Sequence, residues 1–134
     1  MSSFLALLAV ASLVPVQVAA QNPEDLGVQN PAQGDAVASA PGATLRSLDR
    51  LSGEFFDIDL RGGERAELGK LEIRLTDCRY PAENPSGDAY AYLSITDQVT
   101  GGPLFQGWMI ASSPALNALD HMRYDVWVLR CSTS

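Results

Sequence analysis

Ser112, Ser113, Asp120, His121 and Asp125 are the residues whose types could do covalent chemistry in this chain. A serine nucleophile needs a base within hydrogen-bond reach and a third group to orient that base. One histidine and abundant acids make a hydrolase built on His121 with Ser112 or Ser113 the alternative reading. Against it, the chain has neither a G-x-S-x-G elbow nor an S-x-x-K motif. Both serines also precede Pro114, where they are expected to act as helix-capping residues. His121 follows that short segment and is expected to cap carbonyls or to pair with a neighbouring acid. Asp57, Asp59, Asp77, Asp88 and Asp97 form no Asp-x-Asp-x-Asp-Gly calcium loop, so they read as solvated faces and turns. One histidine and two cysteines cannot build a four-ligand structural zinc site, and no phosphate-cradling glycine motif is present. No cofactor is expected.

The binding chemistry is aromatic. Trp108 follows Gly107, which permits close backbone approach. With Ser113, His121 and Tyr124 it surrounds the one predicted helical piece, and these four are the candidate binding patch for a peptide or glycan. Trp127 stands in an apolar run and is expected in the core. Charge excludes a large class of partner. Nine basic against sixteen acidic residues leave a net charge of -7 and a pI near 4.4, the opposite of a nucleic-acid footprint.

The elements that must position these residues are short strands. Turn signals recur at short, even intervals, the mark of an all-β domain. Thr44 to Arg50 is a first strand. In Glu54 to Leu60, Phe56, Ile58 and Leu60 alternate with Asp57 and Asp59. Arg61-Gly62-Gly63-Glu64 then reads as a hairpin turn. Leu71, Ile73 and Leu75 alternate with Glu72, Arg74 and Thr76. Cys78 breaks that register, so a bulge or strand end is expected near Asp77. Ala89 to Val99 alternates again, Leu104 to Ala111 reads as a central strand covered on both faces, and Tyr124 to Cys131 is the last strand. Ser112 to Asp120 is expected to make a helix of two turns at most. The fold class is all-β: a small antiparallel β-sandwich or barrel with one short helix before the last strand.

The ends of the chain differ from this body. Met1 to Ala20 carries no charged side chain and closes on Val18-Ala19-Ala20, small enough for a signal-peptidase site. Pro15 interrupts the run and Ala and Ser dilute it, so residues 1–20 read as a secretory signal whose cleavage leaves no membrane span. No cysteine for a lipid anchor lies near the cleavage site. Gln21 to Ala43 has no aromatic, no Lys and no Arg, and cannot bury enough apolar area to offset its ordering entropy. It reads as a disordered tether over residues 21–43, leaving residues 44–134 as a single β-domain. The tether holds three of the acids, so the domain itself carries about -4.

Two cysteines in an exported chain point to one structural disulfide, Cys78 to Cys131. Free thiols or a redox pair are the alternatives, but a spacing of 53 is unlike a C-x-x-C motif.

Several segments carry a resemblance. The run Leu104-Phe105-Gln106-Gly107-Trp108-Met109-Ile110-Ala111-Ser112-Ser113-Pro114-Ala115-Leu116-Asn117-Ala118-Leu119-Asp120-His121, followed by Tyr124 to Cys131, resembles the signature of the DUF2155 family. Leu45 to Gly53 and Gly69 to Ile73, with Cys78, fit its pattern, and Met122-Arg123 stands where the family has Pro-Val, in a turn. The resemblance implies an exported protein of the alphaproteobacterial periplasm. It supplies no activity. The function expected is therefore a non-enzymatic binding or scaffold domain acting on a periplasmic protein or cell-envelope polymer.

Overall fold

The computed structural model describes residues 36–133. The signal sequence read in residues 1–20, and most of the tether, lie outside the described residues.

Eight strands follow one another: β1 (Val37–Ala40), β2 (Gly42–Asp49), β3 (Phe55–Arg61), β4 (Arg65–Leu68), β5 (Leu71–Pro81), β6 (Tyr90–Asp97), β7 (Pro103–Ile110) and β8 (Tyr124–Ser132). They form two antiparallel sheets, one ordered β1-β5-β6-β7 with β4 also paired to β5, the other ordered β3-β2-β8. The sandwich branch of the expectation therefore holds. The sheets face each other across a core in which Leu45, Ile73, Leu75, Leu93, Ile95 and Val128 are almost wholly removed from water. Period-two alternation dictates this. Ile73 stands opposite Ile95 and Leu75 opposite Leu93, so these side chains stack on one face while Glu72, Arg74, Ser94 and Thr96 point the other way.

Beyond Leu75 the parity would carry Cys78 outward. The register instead shifts between Leu75 and Asp77, and Cys78 arrives inward opposite Ala91. The bulge expected near Asp77 is present, and it aims the cysteine at the other sheet. Cys78 and Cys131 are bridged, with Cα atoms 5.8 Å apart. Ala40 pairs with Cys78 and Ala43 with Cys131. The bridge thus runs beside the corner Pro41-Gly42, where the chain itself passes from one sheet to the other. Gly42 has no room for a side chain there, because a Cβ would collide with the Leu60 carbonyl.

Several expectations are corrected. Val37–Ala40 lay within the expected tether, yet it is an edge strand, because its backbone completes the ladder along Cys78–Pro81. Its shortness and small side chains suit an edge that buries little. Arg61-Gly62-Gly63-Glu64 is not a hairpin turn: β3 and β4 belong to different sheets, and the turn is a crossing between layers. The two-residue hairpin is Gly69-Lys70, between Leu68 and Leu71. Gly69 takes a φ of 59°, and the Tyr124 hydroxyl rests where its Cβ would be. β7 is an edge strand, not a central one. Trp127 is half-buried on the outward face of the smaller sheet, opposite Arg46, because inward Val126 and Val128 fix its parity.

The largest correction concerns Ser112 to Asp120. No helix forms there, or anywhere among the described residues. The segment is a loop folded back on the open edge of β7. The Ser113 N–H donates to the Ile110 carbonyl at 3.1 Å. Asn117 Nδ2 donates to the Trp108 carbonyl at 2.9 Å. Two edge carbonyls are thereby satisfied, and a sheet edge that could pair with another chain is blunted.

Candidate functional site

The outward face of the five-stranded sheet carries two rows of side chains, set by register alone. Asp77 pairs with Tyr92 and Tyr92 with Trp108; one step along, Arg79 pairs with Tyr90 and Tyr90 with Ile110. Each row lies across three adjacent strands on the face that alternation turns away from the core. Tyr92 and Trp108 meet edge to face, their ring centroids 5.2 Å apart. The Arg79 guanidinium stands 5.0 Å from the Trp108 ring centroid and holds Asp77 at 2.8 Å. Tyr90, Tyr92, Trp108 and Ile110 are all half-buried. The result is a narrow aromatic strip with a cation and an anion along one side. Such a surface stacks on planar or apolar faces and hydrogen-bonds at its margin.

The predicted patch separates into two groups. Trp108 belongs to this strip, and its ring partners are Tyr92 and Arg79. His121 and Tyr124 form a second group, with rings stacked at 5.6 Å. His121 Nδ1 accepts the backbone N–H groups of Arg123 and Tyr124, each at 3.1 Å, so that lone pair is committed to the loop's own backbone. Tyr124 is buried, under Gly69. Around them, Arg50 binds Asp125 through two nitrogens, at 2.6 and 3.0 Å, and Arg123 binds Asp49 at 2.8 and 3.2 Å. The hydrogen bonds from Arg123 hold the Asp49 carboxyl below its ordinary range, and those that Arg50 donates to Asp125 raise the Arg50 guanidinium.

Ser112 does not meet His121. Its hydroxyl donates to Asp88 at 2.6 Å, and its backbone N–H donates to the same carboxylate at 2.9 Å. Burial pushes the Asp88 carboxyl up, but these bonds and the Ala89 N–H outweigh it, and the net direction is down. Ser113 is placed by its backbone bonds to Ile110 and Leu116. No hydrogen bond joins either serine to His121 among the described residues, so the arrangement a serine hydrolase requires is not assembled there. The acids weighed as calcium ligands are dispersed. Asp57 pairs with Arg46, Asp59 with Thr44 and Asp77 with Arg79, while Asp97 accepts two turn N–H groups. Among the described residues no cluster of metal-ligating side chains occurs.

A cleft of about 710 Å³ opens at the disulfide end of the sandwich. Its floor is the ends of β2, β3 and β8, and the Pro85–Gly87 loop forms a wall. Sequence reasoning missed this cleft, as it missed Arg79, Tyr92 and Asn117. Alternation alone could have placed Tyr92 outward, since Ala91 and Leu93 point inward.

A family model described as an uncharacterized protein conserved in bacteria (DUF2155) matches residues 43–131. An uncharacterized protein of Rickettsia prowazekii is 30% identical over 88 residues, which cover 63% of this chain and 57% of the relative. The chain thus spans little more than half the length of that relative. No solved structure matches. The matched span begins in β2 and ends at Cys131, so it takes in both cysteines of the bridge, the aromatic strip and the edge-capping loop, and the chain belongs to the DUF2155 family.

Proposed function

We propose that this chain is a non-enzymatic periplasmic binding domain, exported by its N-terminal segment, that takes a protein or cell-envelope polymer on the outward face of its five-stranded sheet. The observation that carries the reading is the strip Tyr92–Trp108–Arg79. A T-shaped aromatic pair with an arginine over one ring is half-exposed on a face the core does not need. An elongated partner suits it, because the two rows cross three strands and span about 10 Å perpendicular to them. The disulfide suits an oxidising compartment.

The test is crosslinked recovery from periplasm, together with cosedimentation on isolated envelope polymer, for wild type and Trp108→Ala. Circular dichroism and a thermal melt check that the variant is folded. The strip predicts at least tenfold lower recovery for the folded variant, the loss expected of an aromatic hot spot. Equal recovery of folded variant and wild type would overturn the reading.

A further inference from the structure

Nine basic side chains serve this chain, and five arginines among the described residues, Arg46, Arg50, Arg65, Arg79 and Arg123, sit in ion pairs. Arg61, Lys70, Arg74 and Arg130 have no ion-pair partner among the described residues, and of these four Arg61 and Arg130 line the cleft at the disulfide end. They share it with two acids, Asp59 and Glu64. Each acid is fixed by one hydrogen bond that leaves its other oxygen uncommitted. Asp59 Oδ1 accepts the Thr44 hydroxyl at 2.6 Å. Glu64 Oε2 accepts the Arg61 backbone N–H at 2.8 Å.

Register keeps Asp59 and Arg130 from pairing. Thr44 stands opposite Asp59 on one side and opposite Arg130 on the other. Asp59 and Arg130 are therefore two strand spacings apart, about 10 Å at the backbone. Asp57, the other acid within electrostatic range of Arg130, is already held by two nitrogens of Arg46. The floor is rigid, since Arg130 adjoins the bridged Cys131 and Gly42 packs against the Leu60 carbonyl. The cleft thus presents two cations and two anions, formally balanced, with no ion pair among them. A simple anion or a simple cation would satisfy half of that set and meet repulsion from the rest.

We propose that this cleft binds a zwitterionic amino-acid group, its carboxylate on Arg61 and Arg130 and its ammonium on Asp59 and Glu64. The volume suits a small group or the end of a longer chain. The group is either a free amino acid or a side chain that ends in one. This site is separate from the aromatic strip and stands whether or not the strip binds a polymer.

Titration of the ¹⁵N-labelled protein with L-alanine tests it, following the backbone amides of Ser86, Gly87 and Ser132. The titration runs past about 10 mM, enough to saturate a site with a Kd near 1 mM. Saturable shifts at these amides are expected. Blocking either charge, as in N-acetylalanine or alaninamide, should weaken binding at least tenfold, as should Arg130→Gln and Asp59→Asn. The second variant keeps an acceptor for Thr44. Trp108→Ala should bind alanine as wild type does. An acetylated peptide bearing diaminopimelate distinguishes the sources: tighter binding than alanine assigns the site to a polymer side chain, weaker binding to the free amino acid. No shift with alanine, equal binding of N-acetylalanine, or variants that bind unchanged while folded would each overturn the proposal.

Discussion

Breaking the Cys78–Cys131 bridge should remove a large share of the domain's stability. The two residues lie 53 apart in sequence, so the oxidised chain keeps a long loop closed even when unfolded. With the chain-entropy relation, a loop of that size lowers the entropy of the unfolded chain by about 14 cal/mol/K, or about 4 kcal/mol at 25 °C. In the folded state the bridge duplicates a connection, because the Pro41-Gly42 corner already joins the sheets beside it. Reduction should therefore leave the two sheets in place and act chiefly through the unfolded state. A domain of this size has about 5–10 kcal/mol of stability to lose. The assay is urea unfolding followed by tryptophan fluorescence, comparing oxidised protein, reduced protein and the double variant Cys78→Ala, Cys131→Ala. With a slope of about 1.5 kcal/mol/M, the reduced protein's midpoint should fall by roughly 2.5 M. The double variant should fall further by about 1 kcal/mol or more, since Cys78 is 1% exposed and its truncation leaves a void. A drop below about 0.5 M on reduction, with the slope unchanged, would refute the loop-entropy argument.

Other perturbations follow from particular contacts. Gly69→Ala places a Cβ against the Tyr124 hydroxyl at a φ of 59° and should cost more than about 1 kcal/mol, with partial recovery when Tyr124→Phe is added; a neutral melt for the single variant would contradict this. Asn117→Ala frees the Trp108 carbonyl on the β7 edge, so it should cost about 1 kcal/mol and raise self-association in light scattering; an unchanged monomer of unchanged stability would show that the loop does not guard the edge. Asp49, Asp57 and Asp88 have folded-state values below the ordinary 3.8. A depressed carboxyl stabilises fully above its unfolded value, and the contribution is lost as pH falls through the folded value. Stability should thus decline from about pH 4 downward, and the deficit of Asp88→Asn at neutral pH should close in acid. A deficit that persists at about pH 2 would count against the sign.

The sequence by itself determined the all-β class, the strand parity and which bridge was possible. Leu71, Ile73 and Leu75, and after them Ala91, Leu93 and Ile95, can alternate only as half-buried strands. The parity break at Cys78 called for a bulge, and one is there. Two cysteines allow one bridge, and the structure, not the count, shows that it forms. Which strand pairs with which was not legible, because alternation reports a face and never a neighbour. That is why β7 is an edge strand, why Arg61–Glu64 crosses between sheets, and why Val37–Ala40 is a strand at all: each depends on backbone hydrogen bonds that any sequence can make. Ser112 to Asp120 carried genuine helix-start signals, yet two turns are too short to hold a helix without a buried face, and the carbonyls of Ile110 and Trp108 offered Ser113 and Asn117 better partners. The sites were decided the same way. Tyr92 meets Trp108, Ser112 meets Asp88, and Arg61 and Arg130 come to line one cleft, across separations in sequence that only the tertiary structure closes.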